Sequence, residues 1–434
     1  MYYHDFLWRP RRGLPAKLLA LCLSIIGLLP GGAQADTQAL TLADAVRLSL
    51  KQNPMLEVFS LRLEGLEGQR LAADQAPALE TAFEAENVLG SGNYGDLDGA
   101  EYTLSLSSVI ELGDKRVART QAVSGRYTLV DAERKAEALS LIGEVTRTFI
   151  STLALQEKQR LASDAVSLAK DTLEVVTRRA ERGATPQAEV LRARAQMKET
   201  LLDQQRLQAA LDSSLMAMSA LLGMPNVDFR RLNGNLFAFT NPANFSALFK
   251  RASDSPNIQV FASEQRLRDA ELALVRSQSR SDLRWQIGAR YFEESGDSAL
   301  VAGVSVPLFS KSRNQGRIRA AQAARNEVSL RRDSALLMLR ARLYEAYQLH
   351  VQAVGAATTM QKQVIPDLER ALELTRDAYE QGRYSYIEWQ SAQRDLLASQ
   401  RNLVDAATSA LLNQALIEQL TGESLAAAAV DSSR

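Results

Sequence analysis

The feature that most constrains the fold of this chain is an internal duplication. A series of landmark residues recurs in the same order at an offset of about 200 residues. The matching landmarks are Pro54 and Pro256, Val58-Phe59 and Val260-Phe261, Gly183 and Gly382, and Gly223 and Gly422. Because their order is kept, the sequence predicts two copies of one structural unit, over residues 36–225 and 242–425, joined by a linker over residues 226–241.

Each copy contains two stretches in which apolar and polar side chains alternate. In one of them, Trp285 and Ile287 alternate with Gln286. Alternation with a period of two is typical of β-strands, and the connections rich in Gly, Ser, Asn and Asp make each pair a hairpin. The predicted strands cover about residues 79–89, 101–112, 283–292 and 299–309.

A very long helix is predicted after each hairpin. Apolar side chains recur with helical spacing over about 114–182 in the first copy and about 314–381 in the second. At 1.5 Å per residue, such a helix is a rod of about 100 Å, and its narrow apolar stripe favours coiled-coil packing. Pro366 interrupts the second stretch, so a kink or break is expected there. Residues 426–434, beyond the last helix, are predicted to be a disordered tail.

The four strands carry one apolar and one polar face, which suits a barrel with lipid outside and water inside. Open sheet edges are not stable in lipid, so four strands need further chains to close a barrel. Two chains would give about 8 strands with a filled interior, whereas three would give about 12 and leave a pore. The pattern leaves one alternative open, which is a soluble four-stranded sheet packed against helices.

The N-terminus has the pattern of a secretory signal peptide over residues 1–35. Basic residues precede an apolar run over residues 18–29, which is too short to span a membrane. Ala33 and Ala35 form the small-residue cleavage motif that follows this run. The chain is therefore predicted to be exported from the cytoplasm.

Composition excludes several classes of protein. Lys+Arg and Asp+Glu both number 51, whereas a nucleic-acid-binding protein would be basic. The single cysteine, Cys22, lies in the predicted signal peptide, which excludes a disulfide framework. His350 has no cysteine or histidine partner in the exported chain, so we expect a structural role for it and no metal site. With no phosphate-binding loop or paired catalytic groups, the sequence predicts no enzyme and no cofactor.

The duplicated order of helix, hairpin, long helix, glycine turn and helix resembles the outer-membrane efflux proteins, the TolC-like channels. Residues 178–186 around Gly183 and residues 378–385 around Gly382 are similar to the turn signature of that family. Residues 111–116, with the sequence Glu-Leu-Gly-Asp-Lys-Arg, are similar to its heavy-metal branch, the cobalt–zinc–cadmium efflux outer-membrane components. The resemblance covers nearly all of the chain after the signal peptide.

This resemblance implies a mainly α fold with a small β part. It implies a homotrimer in which a 12-stranded outer-membrane β-barrel continues into a long periplasmic α-helical barrel. The expected location is the outer membrane, in contact with its lipid, with most of the chain in the periplasm. The expected partners are a periplasmic membrane-fusion adaptor and an inner-membrane, proton-driven RND pump. No nucleic acid is expected as a partner.

The resemblance also assigns candidate gate residues near the turns of the long helices. Gly183, Pro186 and Gly382 mark the helix-tip turns. Glu388 matches a position whose acid rings the pore and favours cations, and Tyr379 and Arg383 match positions of tip-locking contacts. Nearby Trp389 is expected to pack between helices.

The function expected from these features is passive conduction of divalent heavy-metal cations, through the exit duct of a tripartite RND-type efflux system. One alternative of the same architecture is a drug-efflux or type I secretion channel. An alternative of another class is a periplasmic coiled-coil scaffold, although such a scaffold has no need of two alternating hairpins.

Overall fold

A computed structural model describes residues 39–94, 97–240 and 243–423 of the chain. In these ranges the fold is mainly helical, with one four-stranded and one two-stranded sheet. The predicted signal peptide, with Ala33 and Ala35, lies outside the described residues, as does the predicted tail over residues 426–434.

The first copy comprises two short helices, a hairpin, a very long helix and a return helix. Its elements are β1 (Leu40–Thr41), α1 (Leu42–Gln52), α2 (Pro54–Ala73), β2 (Glu80–Glu86), β3 (Glu101–Ile110), α3 (Lys115–Glu181) and α4 (Gln187–Leu221). Asn53 ends α1 and also caps α2, because its side chain accepts a hydrogen bond from the backbone N–H of Met55. Pro54 then occupies the first turn of α2, where a missing N–H costs nothing.

The second copy repeats this order. After β4 (Leu232–Asn233) come α5 (Phe245–Ser253), α6 (Pro256–Gln278), β5 (Leu283–Phe292), β6 (Ser298–Ser305), α7 (Ser310–Arg313), α8 (Gln315–Thr359), α9 (Ile365–Glu380) and α10 (Tyr386–Thr421). Pro256 begins α6 as Pro54 begins α2. The two hairpins therefore occupy the same place in both copies.

The second long helix differs from the first around Pro366. A π-helical segment, Met360–Val364, joins α8 to α9, and Pro366 lies in the first turn of α9. Proline has no N–H to donate, and its ring clashes with the carbonyl four residues earlier. A π-helical turn widens the backbone at this point, and the helix continues through it without a break, so the irregularity expected at Pro366 takes the form of this π-helical segment.

The predicted linker over residues 226–241 is more than a connection. Its two-residue strand β4 pairs in parallel with β1, with Leu232 opposite Leu40. The Gln156 amide of α3 holds β4 by two hydrogen bonds, since its oxygen accepts from the Leu232 N–H at 2.7 Å and its nitrogen donates to the Leu232 carbonyl at 3.2 Å. Sequence alternation could not indicate a strand of only two residues.

The largest core lies where this segment meets α1, α3, α4 and α10. Its buried members include Val145, Phe149, Met218, Leu222 and Phe229. The same part of α3 contains an 18-residue window of mean hydropathy 1.3, long and apolar enough to cross a membrane. Because 56% of that window is buried within the protein, it is explained as the core segment of a long helix.

His350 joins α8 to this region. Its ring nitrogen Nδ1 lies 2.9 Å from the carbonyl oxygen of Ala410 in α10, and Nε2 lies 3.0 Å from that of Thr240. The side chain is 1% exposed. Both ring nitrogens thus face backbone acceptors, so His350 braces the end of the inter-copy segment against α10.

The four-stranded sheet is antiparallel throughout, in the order β2-β3-β5-β6, so the hairpins of the two copies pair through β3 and β5. Its polarity is inverted relative to a water-soluble sheet. On β3, Thr103 and Ser105 are 2% and 4% exposed, whereas Leu104 between them is 62% exposed. The apolar face that a soluble sheet would bury is open here.

Candidate functional site: the helix tips and the polar face of the sheet

Two turns lie at the ends of the long helices that are distant from the four-stranded sheet, one after α3 and one after α9. Gly183 follows α3 at φ +70°, and Gly382 follows α9 at φ +77°, a region that favours glycine. In both turns the residue after the glycine donates its N–H back into the helix, Ala184 to the Arg179 carbonyl at 2.9 Å and Arg383 to the Ala378 carbonyl at 2.8 Å. The turns are therefore the same αL helix stop, repeated in the two copies.

Pro186 completes the first turn. It lies at the N-cap of α4 with φ −66° and ψ 148°, an extended conformation that proline favours. The corresponding N-cap of α10 is Ser385, whose side chain makes a hydrogen-bonded cap. The two tips thus share their helix stop but not their helix start.

An aromatic cluster lies behind the second tip. The Tyr379 ring stacks on Trp389 with centroids 5.0 Å apart, and Tyr386 meets the Tyr379 ring edge-on at 6.5 Å. All three side chains are 2% exposed or less, and Val176 and Val190 of the first copy pack against them. Tyr379 therefore joins the two copies, and Trp389 packs between helices as the sequence suggested.

Polar contacts tie the same cluster to the first tip. The Tyr379 hydroxyl donates to the Glu189 carboxylate at 3.2 Å, and the Thr185 hydroxyl donates to the same carboxylate. Arg179 lies over the Tyr379 ring and donates to the Glu380 carbonyl at 2.6 Å. Burial raises the pKa of Tyr379, so its phenol stays protonated and keeps donating.

Glu388 has an exposed side chain in the first turn of α10. Its carboxylate accepts from the backbone N–H of Ser385 at 2.7 Å and from the Ser385 hydroxyl at 2.9 Å, completing a capping box. These two hydrogen bonds hold the pKa of Glu388 below its usual range. The Glu388 carboxylate is therefore ionised at neutral pH, and the side chain of Arg383 in the preceding turn is also exposed.

Sequence reasoning missed Arg179, Thr185 and Glu189 as the other half of this contact. The only signal was that Glu189 holds the same place in the repeat as Glu388. The structure gives the two glutamates different tasks, since Glu388 caps its own helix and Glu189 accepts from Tyr379 of the other copy. Spacing alone could not reveal which carboxylate faces the opposite tip.

A second polar network covers one face of the sheet. Arg290 of β5 lies 2.6 Å from the Glu101 carboxylate, 2.7 Å from that of Glu86, and donates to the Thr103 hydroxyl at 2.9 Å. It thereby ties together β2, β3 and β5. The charged residues on this face are Glu80, Glu84, Glu86, Glu101, Arg284 and Arg290, an excess of acid.

No group of three or more His, Cys, Asp or Glu side chains within residues 39–94, 97–240 and 243–423 is arranged to hold a metal ion. The acidic side chains of the sheet are spread along the strands and partly paired with arginine. Such an arrangement produces a negative field along the sheet and forms no cage that would retain a metal ion.

Comparison with known proteins gives the family. The sequence model of the outer membrane efflux protein family matches residues 45–224 and 249–423. The chain is 28% identical over 361 residues to the cobalt-zinc-cadmium resistance protein CzcC of Cupriavidus metallidurans, across 82% of this chain and 84% of that protein. It is 25% identical over 331 residues to the nickel-cobalt-cadmium resistance protein NccC of Alcaligenes xylosoxydans xylosoxydans, across 75% and 74%.

The fold has solved counterparts. A crystal structure of CusC, described in terms of folding and transmembrane channel formation, superposes with a TM-score of 0.75 at 16% identity, across 88% of this chain and 92% of that one. At this identity the likeness concerns the fold alone. Because the family match covers both copies, from α1 to the end of α10, the chain belongs to the outer membrane efflux protein family.

Proposed function

We propose that this protein is the exit duct of a tripartite RND-type efflux system and conducts its substrate passively out of the cell. The protein is an outer-membrane protein, like its family. The observation that carries the proposal is the inverted sheet, with Leu104 open and Thr103 covered, continuing into a helix of 67 residues. An apolar exterior suits lipid, and rods of about 100 Å suit a passage across the periplasm.

Closure of the sheet supports a homotrimer. β2 and β6 lie at the two edges of the described sheet, and unpaired edges are not stable in lipid. Three chains of four strands each give a 12-stranded barrel. The polar faces of the sheets line its water-filled interior, and the long helices continue it as a helical barrel. The remaining partners in the proposed system are a periplasmic adaptor and an inner-membrane pump, which supply the energy that a duct lacks.

The proposed substrates are divalent heavy-metal cations. The names of CzcC and NccC state resistance to cobalt, zinc, cadmium and nickel for those two proteins. The acid excess on the polar face of the sheet and the ionised Glu388 at the tip both favour cations by their field. The absence of a metal cage among the described residues is compatible with transport, because a conducted ion must leave.

We further propose that the contact between the tips is the gate. Tyr379, Arg179 and Glu189 hold α9 and α10 of the second copy against α3 and α4 of the first. Breaking this contact would free one helix pair to move relative to the other and widen the periplasmic end. Glu388 and Arg383 are among the exposed charges that an entering ion would meet there.

Three measurements test the proposed function. Density fractionation locates the exported protein, light scattering in mild detergent gives its oligomer mass, and metal tolerance of a host lacking its own duct tests transport. Recovery of a trimer from the outer membrane with restored tolerance is the expected result. A soluble periplasmic monomer would instead leave the coiled-coil scaffold as the explanation. A trimer that restores drug export or protein secretion, but no metal tolerance, would overturn the substrate assignment only.

A further inference from the structure

A basic segment follows strand β6, where the sheet gives way to the helices. Residues 298–326 contain five cations and no Asp or Glu. One of the five, Arg325, pairs with Asp269 at 2.5 Å. The other four have exposed side chains in α7 and the start of α8, and they form no ion pair within residues 39–94, 97–240 and 243–423: Lys311, Arg313, Arg317 and Arg319.

The same junction in the first copy is also basic, but its cations are neutralised within the chain. Lys115 lies 2.6 Å from Asp282, and Arg116 lies 2.9 Å from Asp74. Arg119 pairs with Glu111. The acids of this chain therefore balance the first basic cluster, whereas the second has no counter-ion in the part of the chain that the structure describes.

Exposed apolar side chains lie directly beside the second cluster. Val304 on β6 is 68% exposed, and Leu308 and Phe309, just after the strand, are 69% and 75% exposed. Because side chains alternate along a strand, Leu308 continues the open apolar face to which Val304 belongs. Phe309 connects this face to α7. The apolar face of the sheet thus ends at a group of cations.

The turn that presents Phe309 is held by specific contacts. Phe309 has a φ of +61°, in a region that bulky side chains rarely adopt. On either side of it, the Ser281 hydroxyl donates to the Pro307 carbonyl at 2.6 Å and lies 2.9 Å from the Ser310 hydroxyl. Ser281 belongs to the connection between α6 and β5. The outward position of the Phe309 ring is therefore fixed by the fold.

This turn lies at the periplasmic border of the proposed barrel. β5 begins at Leu283, which pairs with Ile110 at the end of β3, and the Asn314 side chain before α8 donates to the Gln278 carbonyl at 3.2 Å. Trp285 lies two residues, or about 7 Å, along β5 from this border. Aromatic rings are typical of the headgroup level of a membrane, where lipid phosphates supply negative charge.

We propose that this surface binds anionic phospholipid headgroups of the leaflet that faces the periplasm. Leu308 and Phe309 insert among the acyl chains, and the cations of α7 and α8 bind the phosphates. The proposal rests on the outer-membrane duct proposed above and adds a lipid ligand selected by its charge. We call this surface the α7 patch, and it comprises Leu308, Phe309, Lys311, Arg313, Arg317 and Arg319.

Thermal unfolding of the purified protein tests the α7 patch. The trimer in a mild neutral detergent is melted with phosphatidylglycerol, with phosphatidylcholine of the same acyl chains, and with inorganic phosphate. A ligand that binds only the folded protein raises its melting temperature, so phosphatidylglycerol should raise it by several degrees. Phosphatidylcholine should raise it much less because it has no net charge, and inorganic phosphate should leave it unchanged because it has no acyl chains.

Variants assign this shift to the patch. Lys311→Gln with Arg313→Gln should remove most of the shift caused by phosphatidylglycerol and change the melting temperature without lipid little, since neither cation has an ion pair to lose among the described residues. Lys311→Arg with Arg313→Lys keeps both charges and should keep the shift. If the glutamine variant does not form a trimer, Arg313→Gln with Arg317→Gln replaces it and carries the same expectation.

A matched control makes the same change of charge far from the membrane. Lys362 and Arg182 are exposed, about 70 Å from the start of α8 and about 100 Å from the start of α3. Lys362→Gln with Arg182→Gln should therefore keep the full shift with phosphatidylglycerol. A loss equal to that of the α7 variant would show that net charge alone sets the response, and would overturn the α7 patch.

The remaining outcomes separate the lipid site from the function. Equal shifts with phosphatidylcholine, or with inorganic phosphate, would overturn selection of an anionic lipid. A trimer from the outer membrane that shows no shift with any probe, or a glutamine variant that responds like wild type, would overturn the site and leave the duct intact. A wild-type protein that is monomeric in detergent and absent from the outer membrane would refute the proposed function itself.

Discussion

Arg179 of the first helix tip lies over the ring of Tyr379 in the second, with its guanidinium carbon 4.8 Å from the ring centroid. This cation–π contact connects the two copies of the duplicated unit at the end where the proposed duct opens to the periplasm. The Tyr379 hydroxyl also donates a hydrogen bond to Glu189. One tyrosine of the second tip therefore contacts both an arginine and a glutamate of the first.

Replacing Arg179 should open the tip. Arg179→Gln removes the cation over the ring and the donor to the Glu380 carbonyl, so single-channel conductance in planar bilayers should rise severalfold. Arg182→Gln is the matched control, since Arg182 is an exposed arginine of the same tip. Equal conductance increases in both variants would show that charge at the tip, and not the contact with Tyr379, sets the resting state.

The Tyr379 hydroxyl should contribute to the strength of the same contact. Tyr379→Phe keeps the stacking on Trp389 but removes the hydrogen bond to Glu189, and should cost about 1 kcal/mol. Trp389→Ala removes a fully buried ring and should cost about 3 to 5 kcal/mol. Thermal unfolding in detergent measures both. A Tyr379→Phe protein as unstable as Trp389→Ala would contradict this order.

Cation preference at the tip should persist into acid. The Ser385 hydrogen bonds lower the pKa of Glu388, so its charge is lost only as the pH falls through that lowered value. Reversal potentials in a salt gradient should therefore stay cation-selective at about pH 4.5, where an ordinary glutamate is half protonated. Glu388→Gln should lose part of this selectivity at neutral pH, and Ser385→Ala should lose it at higher pH than wild type does.

The pKa of Glu418 is shifted upward, in the opposite direction to that of Glu388, so Glu418 should make the stability of the protein depend on pH. Burial raises the pKa of its carboxyl, against smaller opposing effects of Gln414 and His350. The folded protein therefore binds this proton more tightly than the unfolded chain, and stability falls as the pH rises through the raised pKa. Glu418→Gln keeps an oxygen for the Gln414 amide and removes the charge. It should raise the melting temperature at about pH 7.5 and change it little at about pH 4.

Arginine on the polar face of the sheet should moderate its negative field. Arg290→Gln leaves Glu86 and Glu101 without their partner. The preference for cations should therefore increase, and the melting temperature of the trimer should fall. Arg284→Gln makes the same change of charge, but Arg284 is more exposed and lies 3.7 Å from Glu80. It should therefore affect selectivity with little loss of stability. Similar melting temperatures for the two variants would argue against a strand-bridging role of Arg290.

The repeated elements could be predicted because they depend on local pattern. The alternation around Trp285 lies within β5, and helical periodicity extends along all of α3. β4 could not be found in this way, because two residues carry no period and its pairing with Leu40 depends on a partner far away in the sequence. The π-helical segment before Pro366 was likewise hidden, because proline predicts only that the backbone must adapt.

The sequence predicted where the candidate site lies in the chain, but it did not predict which residues contact one another there. Gly183 and Gly382 marked the tips, since a left-handed helix stop favours glycine. Which side of α9 faces the other copy depends on the packing of four helices, so Tyr379 was assigned to the gate without its partners. Its burial against Trp389 and its bond to Glu189 became visible only in three dimensions.

The inverted sheet also has a consequence for the order of events in biogenesis. With Leu104 and Leu300 open and the strand edges unpaired, the hairpins gain little from folding in the aqueous periplasm, whereas the large core around Val145 and Met218 does not depend on lipid. The helical body should therefore fold first and the strands should fold on contact with the bilayer. A single chain would then reach the outer membrane with its helices folded and its strands unfolded. Insertion of the strands into the membrane and assembly of the three chains would be one step.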